Sequence, residues 1–209
     1  MYTLYTSPGT AGMMVHQLLL ELGVPYEFEL LDILAGDQRK PEYLALNPNG
    51  VVPTLVVDGK PVAESSALML LLAERHPEGR FAPAPGDPSR AEFLEWTLFL
   101  AHALQPAYRL WFYPSDLGNV DADALKAGAR AKIEAIWTRI DARFADGRQH
   151  FLGDAISTLD FYTLMLMRWS RNMPRPATTW PHLAAFAARM KERPSWRRLY
   201  ELEGLTEWA

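Results

Sequence analysis

Between His76 and Pro88 the chain carries Pro77, Gly79, Pro83, Pro85, Gly86 and Pro88, and this break separates two differently patterned parts. Every strand-like segment lies before it. Tyr2–Thr6 alternates and is rich in aromatic and β-branched residues, which predicts a strand. Ser7-Pro8-Gly9-Thr10 is a turn signal, and Val15, Leu18, Leu19 and Leu22 then form one apolar helical face closed by Gly23 and Pro25. Residues 26–31 read as a second strand. Strand, helix and strand in this order predict a parallel pair. Residues 32–49 read as a loop with a short irregular helix. Thr54–Val57 is an apolar strand, Asp58-Gly59 a hairpin turn, and 61–63 a returning strand that Pro61 places at a sheet edge. Residues 64–76 read as a helix with Leu68, Leu71 and Leu72 facing inward.

After the break no convincing strand remains. Residues 89–111 predict one long helix, interrupted or kinked near Pro106. Residues 122–145 predict another, with Ala129, Ile133, Ile136, Trp137, Ile140 and Phe144 as its apolar stripe. Ser157-Thr-Leu-Asp160 resembles a capping box with Asp in place of Glu or Gln, so Asp160 is read as structural. Helices over 181–192 and 195–203 complete the chain. The expected division is 1–78, a linker over 79–87, and an all-helical domain over 88–209.

The chain has no cysteine, which removes disulfides, thiolate metal sites and a protein thiol nucleophile. Its net charge is −4 and its Lys and Arg residues form no block, which argues against nucleic acid as a partner. No His/Asp/Glu cluster has ligand spacing, so no metal is expected. The apolar runs are shorter than the ~20 residues of a membrane span, and MYTLYT lacks the features of a signal segment. A cytoplasmic location without membrane attachment is expected.

The β-α-β, β-β-α order with a proline opening the third strand resembles a thioredoxin fold. Asn47-Pro-Asn-Gly-Val-Val-Pro53-Thr-Leu resembles the N-P-x-G-x-V-P-x-L motif of glutathione transferases, and Glu64-Ser65 matches that family's E/Q-S pair. Ser157-Thr-Leu-Asp160 is similar to its S/T-x-x-D cap. The resemblance covers essentially the whole chain and implies an α+β protein: a thioredoxin-like N-terminal domain that binds glutathione, followed by an all-α C-terminal domain. LYTSPGTAG is similar to the bacterial beta-type enzymes, except that Ala11 stands where those carry a cysteine. A mixed disulfide with the protein is therefore not available.

The resemblance further implies roles. Pro53 is expected to be cis, turning the Val52 backbone toward the cysteinyl N–H and C=O of glutathione. Ser65, at a helix N-terminus, is expected to hold the γ-glutamyl carboxylate, and Glu64 to accept from the ligand ammonium. Gln38 is expected near the glycine end. The thiol of glutathione, ordinarily near pKa ~8.5, needs ~2.7 kcal/mol of preferential thiolate stabilisation for a two-unit drop. One hydroxyl donor supplies ~1.5–3 kcal/mol to a charged acceptor. A helix N-terminus adds ~0.3–1 kcal/mol. Thr10 is the first choice of donor, Ser7 the second and Tyr5 the third.

The second substrate, a small hydrophobic electrophile, is expected against the helix carrying His102, Gln105, Tyr108, Arg109 and Trp111. The implied function is a homodimeric detoxification enzyme that conjugates glutathione, its co-substrate, to that electrophile. Glutathione-dependent isomerisation, dehalogenation or peroxide reduction stays open, as does a non-catalytic glutathione-binding scaffold. The physiological electrophile and the dimer surface are not legible.

Overall fold

The computed structural model describes residues Met1–Ala209 and groups them into two units: Met1–Ala82 with Lys191–Ala209, and Pro83–Met190. The first unit contains a four-stranded sheet in the order β2-β1-β3-β4. Its strands are β1 (Tyr2–Thr6), β2 (Tyr26–Leu30), β3 (Thr54–Val57) and β4 (Lys60–Ala63). β1 runs parallel to β2 and antiparallel to β3, and β3 pairs antiparallel with β4. Pro61 lies on the edge strand, where a missing backbone N–H breaks no ladder on its free side.

Helix α1 (Gly12–Leu22) joins β1 to β2 and ends at Gly23, whose φ of 63° suits a left-handed cap. Its residues from Gly12 to Leu19 are all buried. The segment between β2 and β3 contains a single turn of tight helix (Asp37–Arg39) and the short α2 (Pro41–Leu44). Helix α3 (Ser65–Arg75) follows β4 directly and packs on α1.

The second unit is helical. Helix α4 (Arg90–Phe99) runs into a π turn (Leu100–Leu104) and then α5 (Gln105–Phe112). The interruption thus precedes Pro106 rather than falling on it. Pro106 has no N–H to give the carbonyl four residues back, at His102, and its ring would strike that carbonyl; the wider π turn relieves both problems. Helix α6 (Ala122–Phe144) buries the stripe read from its sequence. Helix α7 (Thr158–Trp169) starts at the Ser157–Asp160 cap: the wholly buried Asp160 carboxylate accepts from the Ser157 amide (2.7 Å) and the Phe151 amide (2.8 Å). Helix α8 is Pro181–Lys191.

The last helix, α9 (Pro194–Glu203), packs on α1 and so groups with the sheet, although its sequence position suggests the helical half. Buried Trp196, Leu199 and Tyr200 and a set of polar contacts accompany this placement. Arg193 clasps Glu21 of α1 with two hydrogen bonds of 2.6 Å, Ser195 also donates to Glu21, and Gln17 donates to Ser195 (3.2 Å). No helix is long and apolar enough to cross a membrane.

Candidate functional site

Sheet register gathers one set of residues. Tyr5 pairs with Thr54, and Thr54 with Ala63. Thr6-Ser7 leaving β1, Val52-Pro53 entering β3 and Glu64-Ser65 leaving β4 therefore share one end of the sheet. Gly12 closes the group from the α1 side: a Cβ on it would lie 3.4 Å from the Pro53 side chain and 1.8 Å from Thr6 Oγ1. Only a residue without a side chain lets the start of α1 come this close.

The Val52–Pro53 peptide is cis. Neither the amide nor the carbonyl of Val52 is hydrogen-bonded within the chain. Both flanking residues, by contrast, are tied down. Tyr43 donates its hydroxyl to the Val51 carbonyl (2.7 Å), and Asn47 Nδ2 donates to the same carbonyl (2.8 Å). The two side chains also meet Thr54 Oγ1, at 2.8 and 3.2 Å. The Val52 backbone is held rigidly with its hydrogen-bonding groups unspent, a short stretch of open strand edge. Asn47 belongs to the quoted motif, but nothing in the sequence marked Tyr43.

Glu64 precedes α3 with φ 69° and ψ 102°, a region uncommon for a residue with a side chain. Such strain persists where surrounding structure imposes it, often at ligand sites. The Glu64 carboxylate is exposed and has no ion-pair partner. The Ser65, Ser66 and Ala67 amides are the free donors of the first turn, and the 6% exposed Ser65 hydroxyl is also unspent. Free amides and the positive end of the helix dipole together suit a carboxylate.

The turn after β1 separates the two hydroxyl candidates. The Ser7 carbonyl accepts from the Thr10 amide at 3.2 Å, with Pro8 second and Gly9, at φ 76°, third in the turn. This is the pattern of a type II turn. The Thr10 hydroxyl donates to that same carbonyl (2.7 Å) and accepts weakly from the Gly12 amide (3.4 Å). Its one hydrogen is committed. The Ser7 hydroxyl, in a residue only 4% exposed, makes no hydrogen bond within the chain. Tyr5 stays in the strand, its ring edge-on to Tyr43.

Gln38 donates to the Ile33 carbonyl (3.2 Å), and its Oε1 is buried without a partner. A Cβ on Gly50 would lie 3.0 Å from the Gln38 carbonyl, so this segment sits against the motif loop.

In the helical unit, His102 is exposed within the π turn and Trp111 is half-buried on α5. Gln105 accepts from the Tyr162 hydroxyl. Tyr108 is wholly buried and accepts from Trp137 Nε1 (2.9 Å); burial pushes its phenol far above the usual range. Tyr108 thus packs inside the helical unit and presents no open face. Arg109 lies over the Tyr113 ring, 4.3 Å from its centre, and pairs with Asp116 (2.5 Å).

Residues 12–75 match the family model described as glutathione S-transferase, N-terminal domain. The chain is 30% identical over 204 residues to glutathione S-transferase GST-4.5 of Xanthomonas campestris, covering 97% of this chain and 98% of that protein. It superposes with a TM-score of 0.89 on a glutathione transferase homologue from Sulfitobacter with bound glutathione, at 25% identity over 99% of each chain. A sphingomonad glutathione S-transferase complexed with glutathione gives a TM-score of 0.86 at 29% identity, covering 98% of this chain and all of that one.

Proposed function

The chain belongs to the glutathione S-transferase family, and from this membership we propose that it ionises reduced glutathione at the sheet end formed by Ser7, Val52, Pro53, Glu64 and Ser65 and transfers the sulfur to a small hydrophobic electrophile. One observation carries the reading: hydrogen-bonding groups of Ser7, Val52 and Ser65 stand unspent on three chain segments that one sheet register brings together. Val52 pairs with the cysteinyl backbone of the tripeptide. The first turn of α3 and the Ser65 hydroxyl take the γ-glutamyl carboxylate, and Glu64 takes its ammonium. Gln38 faces the glycine end.

The thiol proton leaves to solvent and the thiolate accepts a hydrogen bond from the Ser7 hydroxyl. Ser7 takes precedence over Thr10 because Thr10 already donates to the Ser7 carbonyl; its role is to shape the turn and cap α1. A hydroxyl donor to a charged acceptor contributes ~1.5–3 kcal/mol, which covers most of the ~2.7 kcal/mol needed for a two-unit drop. The thiolate then attacks the electrophilic carbon, a C–S bond forms, and the leaving group departs with its electron pair. The electrophile packs against the helix carrying His102, Gln105 and Trp111, with Tyr108 as support beneath. The working form is a cytoplasmic homodimer, and the role is detoxification.

Ultraviolet difference titration of bound glutathione tests the reading. The wild type should hold the thiol as thiolate near neutral pH. Ser7→Ala should return it toward ~8.5 while binding S-methylglutathione normally, and Thr10→Val should keep the thiolate. No calorimetric heat with reduced glutathione, or an unshifted thiol in Ser7→Ala, sinks the proposal.

A further inference from the structure

The Gly9 amide points away from its own turn and donates to Glu203 Oε2 at 3.1 Å, joining the turn after β1 to the last turn of α9. The other carboxylate oxygen of Glu203 accepts from His16 Nδ1 on α1 at 2.9 Å, and His16 Nε2 meets the Tyr26 hydroxyl on β2 at 2.8 Å. His16 is fully buried and Glu203 is 3% exposed. A carboxylate this deep must have its lone pairs answered, and here one answer is a main-chain group of the turn that carries Ser7. In a type II turn the amide of the third residue is not used by the turn itself. Glu203 therefore ties the turn to α9 from outside.

We propose that Glu203 is a positioning residue for thiol ionisation: through Gly9 it fixes the Ser7–Thr10 turn so that the Ser7 hydroxyl meets the glutathione sulfur. The inference rests on the proposed function of that turn. His16 and Tyr26 hold the Glu203 carboxylate in turn.

Substitution separates position from charge. A carboxylate near the sulfur disfavours a thiolate, so loss of its charge alone lowers the bound thiol's pKa. Loss of the anchor raises it. Glu203→Gln keeps an oxygen for Gly9 and should leave the thiol pKa at or below the wild-type value. Glu203→Met keeps the length without an acceptor for Gly9 and should raise the pKa by about one unit, a roughly tenfold loss of thiolate below that pKa. Its kcat should fall in proportion, with KM and S-methylglutathione affinity within about threefold of wild type. Should Glu203→Met fail to fold, the double variant His16→Leu/Glu203→Met removes the imidazole left unpaired and should show the same upward shift. An unchanged or lowered thiol pKa in the folded Met variant overturns the inference and spares the proposed function. So does parallel loss of S-methylglutathione binding, because that reports collapse of the whole site. A wild-type protein that binds glutathione without ionising it overturns both.

Discussion

Gly12 shows how much of the site depends on what a single position lacks. Its missing side chain is the space that Thr6 Oγ1 occupies, and Thr6 is short, fully buried and unable to swing aside. Gly12→Ala should cost ~1–3 kcal/mol, as overpacking does in a filled core. For a chain of this size that is a melting point lower by about 2–4 °C per kcal/mol. Thr6→Ala should recover part of the loss only in the Gly12→Ala background, because contacting positions do not add independently. Thermal melts of the four proteins in the cycle check this. The same crowding brings Pro53 to the start of α1, so the variant should also weaken glutathione affinity. Thr10 illustrates the converse. In sequence it is the hydroxyl nearest the helix mouth, yet its hydrogen turns back to Ser7. Local spacing locates a hydroxyl; only the turn's geometry shows whether it has a hydrogen to give.

Among the elements, α7 is the one whose start was legible from a capping pattern. The Ser157–Asp160 spacing announces the cap, and the structure adds the Phe151 amide as a further donor to the same carboxylate. Asp160→Ala should leave two buried amides unanswered at about 1–3 kcal/mol each, seen as an earlier urea midpoint with an unchanged slope. The α4–α5 helix was legible together with a break near Pro106, and the structure adds that the break is a π turn over the residues just before it, since a proline perturbs the turn before it rather than itself. Tyr26 on β2 ties a strand to pH. Burial, with Glu203 adding to it, raises its phenol to about 12 from the usual 10. The folded state thus retains a proton that the unfolded chain releases between those values. This stabilisation is complete below pH 10 and is lost as pH rises toward 12. Tyr26→Phe should flatten the alkaline limb of the stability profile in that window and leave the slope below pH 9 as in the wild type.

For the chain as a body, the lack of cysteine is the strongest chemical statement. Incubation with oxidised glutathione should leave the protein mass unchanged, and thiol-alkylating reagents should leave its activity intact; an added glutathionyl mass would contradict the sequence itself. The grouping of α9 with the sheet gives the C-terminal segment its contacts in the first unit, through Arg193, Ser195 and Glu203. An amphipathic pattern states which face of a helix is buried and not against what, so the partner of α9 could not be read from its own residues. Sedimentation equilibrium should find two copies at micromolar concentration, in keeping with the homodimer proposed above.

The amino-acid sequence alone determined whatever rests on neighbours a few residues apart. The proline-rich break, the period-2 and period-3.6 segments, the Ser7–Thr10 turn and the Ser157–Asp160 cap all follow from dihedral preferences and short hydrogen bonds. The Asn47–Leu55 motif marked the loop that carries the cis prolyl bond for the same reason. Three-dimensional packing alone determined which groups are gathered: Ser7, Val52 and Ser65 at one end of the sheet through strand register, Tyr43 and Asn47 at the Val51 carbonyl, and Glu203 at an amide 194 residues earlier. Burial selects such pairings by the cost of an unanswered polar group, and that cost exists only after the chain has closed around it.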